Sequence, residues 1–189
     1  MKKGTIALIV LVVLLLILGF GIAGTYNSIV DLEEQVKKQY SNIDAQLERR
    51  TDLIPNLVNT VKGYMKHEED VIEKVTTARE NLVKAQSVEE KAKANDELTG
   101  ALNALFVIVE NYPDLKANEE FVGLMDELAG TENRIAQARK EYNDAVSDYN
   151  KKIKKFPANF IANMFRFEEK PYFEVTEGKE KVPEVNFQS

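Results

Sequence analysis

The chain has 189 residues, no cysteine, one histidine and a formal net charge of −6. The lack of cysteine excludes a lipid-modified cysteine anchor and thiol catalysis, and the acidic balance argues against a nucleic-acid partner. Five prolines, nine glycines and 30% charged residues favour long helices over sheet.

The first element is an apolar run. Gly4 to Gly24 carries no charge and follows Lys2 and Lys3 directly. As a helix it would span about 31 Å, the thickness of a bilayer's hydrocarbon core. A cleavable signal has a shorter apolar core, so the run reads as a retained single-pass anchor over residues 1–25. Lys2 and Lys3 precede the span, and the next basic residues are Lys37 and Lys38. The positive-inside rule then puts the N-terminus in the cytoplasm and the remaining domain on the extracytoplasmic side of the cell membrane. Gly19 to Gly24 matches GxGxxG but lacks the strand and βαβ unit that a dinucleotide site needs.

Four helices are expected beyond the anchor, forming an all-α, antiparallel up-and-down four-helix bundle over 26–157. The first ends at Asp52-Leu53-Ile54-Pro55, with Pro55 opening the second. Ser87-Val88-Glu89-Glu90 reads as a capping box for the third. Tyr112-Pro113-Asp114 stops the third, Asn118 caps the fourth, and Phe156-Pro157 ends it. Each helix carries one coiled-coil-like apolar seam, for example Ile29, Val36, Tyr40, Ile43, Leu47 and Ile54 on the first. The seam of the fourth runs from Phe121 through Leu128, Ile135, Tyr142 and Tyr149 to Phe156. Residues 158–189 form an amphipathic, aromatic segment followed by a loose tail from Glu177.

Two candidate surfaces follow from that topology. Loops on a rigid scaffold gather recognition residues, so a partner site is expected at a tip roughly 40 Å from the bilayer. It would comprise Arg49, Arg50, Asp52 and Asn56 from one loop and Tyr112, Asp114, Lys116 and Asn118 from the other. At the opposite end, Lys151, Lys152, Lys154 and Lys155 with Phe160 and Phe165 are expected to meet the membrane surface. The partners are thus membrane lipid, a membrane or envelope protein and a second copy of the chain. His67-Glu68-Glu69-Asp70 is the only metal-like string, but no HExxH or ExxH pattern exists. A weak metal site is conceivable if His67 stands level with Asn42, Asp44, Thr131 and Glu132. No catalytic or cofactor-binding motif is present, and the chain reads as a non-enzyme.

Four strings carry a family resemblance: RRTDLIPNLVNTVKGYMKHEE from Arg49, ENYPDLKANEEF from Glu110, GTENRIAQARKEYNDAVSDYN from Gly130 and FPANFIA from Phe156. With the late PYFE at Pro171, they closely resemble the LemA family, over almost the whole chain. Arg166 stands where many members are expected to have glycine. The resemblance implies a bacterial protein with one N-terminal span and an up-and-down helical bundle, with no established catalytic activity. It also implies an adaptor or accessory role, since some members are associated with membrane-bound metalloproteases or envelope stress. The leading expectation is therefore a membrane-anchored scaffold. The alternatives are a self-assembling membrane-shaping protein and a metal-dependent membrane factor.

Overall fold

The computed structural model of the chain describes residues 3–174, and every regular element among them is a helix. These are α1 (Lys3–Lys62), α2 (Glu69–Lys84), α3 (Val88–Val109), α4 (Pro113–Lys116), α5 (Glu119–Lys154) and α6 (Ala158–Phe165). The all-α class is as the periodicity indicates. The tail expected from Glu177 lies outside the described residues. Among those residues, only α1 is long and apolar enough to cross a membrane. Its side chains from Leu8 to Leu18, and Phe20, stand exposed among the described residues.

Helix boundaries follow local chemistry in most places. Ser87 caps α3: its hydroxyl accepts from Glu90 N at 3.1 Å, and the Glu90 carboxylate accepts from Ser87 N at 3.1 Å and Gln86 N at 2.8 Å. Asn118 caps α5, its Oδ1 accepting from Phe121 N at 2.9 Å. Pro113 opens the short α4, and α5 unwinds just before Phe156-Pro157.

The first boundary is a correction. α1 does not end at Asp52–Pro55 but continues through Pro55 to Lys62. A proline inside a helix has no N–H to offer the carbonyl four residues earlier, which here is Thr51 O. That carbonyl accepts from Arg79 Nε on α2 at 2.8 Å. A guanidinium from the neighbouring helix thus replaces the missing backbone donor, and the turn to α2 is displaced to residues 63–68.

The chain divides into two compact units. One comprises residues up to Tyr40 with Glu141–Lys170. Its core includes Ile29, Val36, Tyr142, Val146, Tyr149, Ile153, Ile161 and Ala162. Asn150 fastens the segment after α6 through both ends of its amide, donating to Lys170 O and accepting from Lys170 N, each at 2.9 Å. Lys170 also pairs with Glu33 at 2.7 Å and lies over the Tyr149 ring. Phe156 departs from its expected place on the seam: it is 80% exposed. The helical period stops at Lys154, so the three-and-four spacing no longer governs where residue 156 points.

The other unit comprises 41–140 with the segment from Pro171. Its core draws on α1 (Ile43, Leu47, Ile54, Leu57, Val61), α2 (Ile72, Val75, Leu82), α3 (Leu98, Leu102, Leu105) and α5 (Phe121, Leu128, Ile135). Phe173, from the PYFE string, is fully buried, its carbonyl accepting from Arg139 Nε at 2.9 Å and its ring lying under the same guanidinium.

Candidate interaction surfaces

The predicted tip residues separate into two groups. Arg49, Arg50, Asp52 and Asn56 sit in the interior of α1, before its C-terminal end, and not in a loop. Arg50 is only 3% exposed. Its Nη1 donates to Asn95 Oδ1 on α3 at 2.6 Å and pairs with Glu132 Oε2 on α5 at 2.7 Å, while its Nε has no acceptor among the described residues. Burial pushes this guanidinium below its ordinary pKa, and the carboxylates of Glu132 and Asp96 pull it back up. Arg49 is drawn to Glu127, which also attracts Arg134. Arg134 in turn donates to Thr131 Oγ1 at 3.1 Å. Arg49 and Arg50 are therefore engaged by the TENR string, Thr131 to Arg134, and its neighbour Glu127. Asp52 and Asn56 stay exposed on α1.

The second group does share a surface. Tyr112, Asp114, Lys116 and Asn118 occupy the α3–α5 connection, and the 63–68 turn meets them. Two side-chain bonds join the segments: Asn118 Nδ2 donates to Tyr64 Oη at 3.1 Å, and Tyr112 Oη donates to Glu68 Oε1 at 3.2 Å. Partial desolvation and the Glu68 carboxylate raise the Tyr112 pKa, so the phenol remains the donor. Buried Met65 and Leu115 pin each segment from beneath, and Lys116 pairs with Glu110 at 2.5 Å. Exposed Tyr64, Asp114 and Lys116 are what this surface presents. Tyr64 and Glu68 join this surface because the turn falls at 63–68 and not at Asp52–Pro55, where the proline signal points.

His67 is exposed in this same turn. The residues expected at its level are committed elsewhere, Asp44 to Lys91 at 2.6 Å and Glu132 to Arg50. Among the described residues, no group of three or more His, Cys, Asp or Glu could hold a metal ion. The metal site conceivable at the His67 level does not assemble among the described residues.

The membrane-surface candidates lie in the other unit. Lys151, Lys154 and Lys155 are exposed at the end of α5, Lys152 is half-buried, and Lys154 pairs with Glu169 at 2.7 Å. α6 buries Ala158, Ile161 and Ala162 and leaves Phe160, Met164 and Phe165 outside. The Phe165 ring lies 4.7 Å, and the Phe167 ring 5.7 Å, from the ring of Tyr26. Tyr26 is the second residue after Gly24, where the apolar run ends. α6 ends on Arg166 in the left-handed conformation at φ 59°, with Phe167 N donating to Ala162 O at 2.9 Å. That is a position glycine suits best, which accounts for the glycine expected there.

A model of the LemA family matches residues 39–187. The magnetosome protein MamQ 1 of Paramagnetospirillum magneticum is 27% identical over 175 residues, covering 79% of this chain and 64% of that protein. MamQ of Magnetospirillum gryphiswaldense is 27% identical over 174 residues, covering 78% and 64%. Protein LemA of Metamycoplasma hominis is 29% identical over 148 residues, covering 76% and 66%. The chain thus spans just under two thirds of the length of these relatives.

Proposed function

The chain belongs to the LemA family, and on that premise we propose that it is a single-pass, membrane-anchored helical scaffold or adaptor that binds other membrane or envelope proteins. The role is positional, not enzymatic. α1 supplies both the anchor and a packing face, since one unbroken helix carries the apolar run and the core residues from Ile29 to Val61. The weak charge bias around the span favours the extracytoplasmic side for the helical domain.

One observation carries the adaptor reading. The 63–68 turn and the α3–α5 connection are tied to each other by the Tyr64–Asn118 and Tyr112–Glu68 bonds. Side chains held this way lose little freedom when a partner docks, and preorganisation of that kind favours recognition. The partner surface therefore centres on Tyr64, Asp114 and Lys116, with Tyr112 and Asn118 holding its shape.

The test is photo-crosslinking in cells from positions 64 and 114, with position 93 on the exposed face of α3 as the control. Capture of the same discrete protein from 64 and 114, and not from 93, is the expected result. Capture of copies of the chain alone would favour self-assembly at the membrane, the second reading. Capture of nothing would refute a partner site at these turns.

A further inference from the structure

We infer that α6 and the Phe156 corner form an interfacial membrane foot, inserted in the leaflet from which α1 emerges. The inference deepens the proposed function and rests on its reading of α1 as the membrane span. The two aromatic contacts of Tyr26 set the location. Tyr26 stands where the apolar run ending at Gly24 gives way to polar Thr25, Asn27 and Ser28, and its ring touches Phe165 and Phe167. The C-terminal end of α6 therefore lies at the mouth of the span, where headgroups replace acyl chains. Tyrosine and phenylalanine at that level suit a bilayer interface.

The exposed face of α6 has the composition of an inserting face. Ala158, Ile161 and Ala162 point inward, while Phe160 is 63% and Met164 68% exposed. Phe156 adds its ring to Phe160 edge-on, with centroids 6.0 Å apart. Together with Phe165 these side chains leave on the order of 500 Å² of apolar surface open, at the upper end of what a monomer keeps in water. A short helix with one apolar face and lysines beside it lies in the interface plane. Lys151 and Lys155 form no ion pair among the described residues and are placed to meet phosphate oxygens. The bilayer is preferred over a second copy as the occupant because α1 already brings it to this end of α6.

Depth must be the readout, because α1 holds the chain on vesicles whatever α6 does. The chain has no cysteine, so Phe160→Cys and Met164→Cys in the full-length protein each accept one fluorophore, with Val107→Cys on exposed α3 as control. The proteins are reconstituted in phosphatidylcholine–phosphatidylglycerol vesicles and quenched from either side, by acyl-brominated lipid or by aqueous iodide. We expect strong bromolipid quenching and several-fold weaker iodide quenching at 160 and 164, with the reverse at 107. Phe156→Ser with Phe160→Ser, read from the label at 164, lowers the bromolipid quenching several-fold while helix content is unchanged. Equal iodide access at all three positions overturns the foot. So does protection at 160 without bromolipid quenching that disappears on dilution with lipid, since a second copy is then the cover. Failure of the chain to float with vesicles overturns the span reading, and the foot with it, and is a separate observation from label depth.

Discussion

The passage of α1 through Pro55 gives the sharpest test of the fold. Thr51 is 6% exposed, so its carbonyl has little access to water, and Pro55 cannot donate to it. Arg79 Nε, at 2.8 Å, is the donor that replaces the backbone. Arg79→Met removes it while keeping much of the aliphatic stem, leaving a buried acceptor unpaired. Such a loss costs about 1–3 kcal/mol, and a bond from a charged donor puts the expectation near 2 kcal/mol. For a chain of this size that lowers the melting temperature by roughly 4–8 °C. In a Pro55→Ala background the new N–H can reach Thr51 O, so Arg79→Met is expected to cost under about 1 kcal/mol, a coupling of about 1–1.5 kcal/mol. The assay is denaturant unfolding of the four full-length variants in one detergent, followed by far-ultraviolet circular dichroism. Equal costs of Arg79→Met in the two backgrounds would refute the account, because the guanidinium would then not be standing in for the proline's missing donor.

Three further outcomes follow from single side chains. Arg166→Gly relieves a left-handed residue at the end of α6 and is expected to stabilise the chain by up to about 1 kcal/mol; a lower unfolding midpoint would count against it. The Tyr149 hydroxyl is buried with no hydrogen-bond partner among the described residues, and burial first, then Glu33 and Glu168, push its pKa up to about 12. Tyr149→Phe should therefore be neutral or stabilising by about 1 kcal/mol, and a loss beyond 1 kcal/mol would reveal a missed partner. Glu90 titrates below its ordinary value because the N–H groups of Gln86 and Ser87 hold its carboxylate. A depressed carboxylate contributes stability that is complete above the unfolded glutamate value and lost as pH falls through the folded one. The acid limb of the stability–pH curve should accordingly be shallower in Glu90→Gln, and an unchanged limb would dismiss the capping box as its source.

What could be read from the sequence is what local chemistry decides. The Ser87–Glu90 box and the Asn118 cap are short-range, and both form as the spacing indicates. The apolar seams also hold, since Ile43, Leu47, Leu98, Leu128 and Ile135 are all buried on their helices. Pro55 misled for a definite reason. A proline preceded by Thr-Asp-Leu-Ile reads as a helix start, and the donor that lets the helix pass through it sits 24 positions later, at Arg79. That shift carried Arg50 from an expected loop to a buried pair with Asn95 and Glu132, a contact no local pattern encodes. Phe156 departs in the opposite sense: the seam periodicity extends to it, two residues beyond the point where α5 unwinds.

The RR pair and the TENR string look like recognition residues in one dimension, being charged, dense and close to apparent breaks. In the folded chain Arg50 pairs with Glu132, while Arg49 and Arg134 converge on Glu127. Substitution of buried Arg50 disturbs the helix packing and reports on stability, whatever partner is present, whereas the exposed Arg49 and Arg134 pairs with Glu127 contribute little. The groups exposed towards another molecule at the two proposed surfaces are different: Tyr64, Asp114 and Lys116 at the joined turns, and Phe156, Phe160 and Met164 around α6. The first set is polar and braced by hydrogen bonds, which suits a protein surface; the second is apolar and lies beside the end of the apolar run of α1, which suits lipid. A variant that loses partner capture from position 114 but keeps bromolipid quenching at 160, or the converse, separates the two roles without changing the fold.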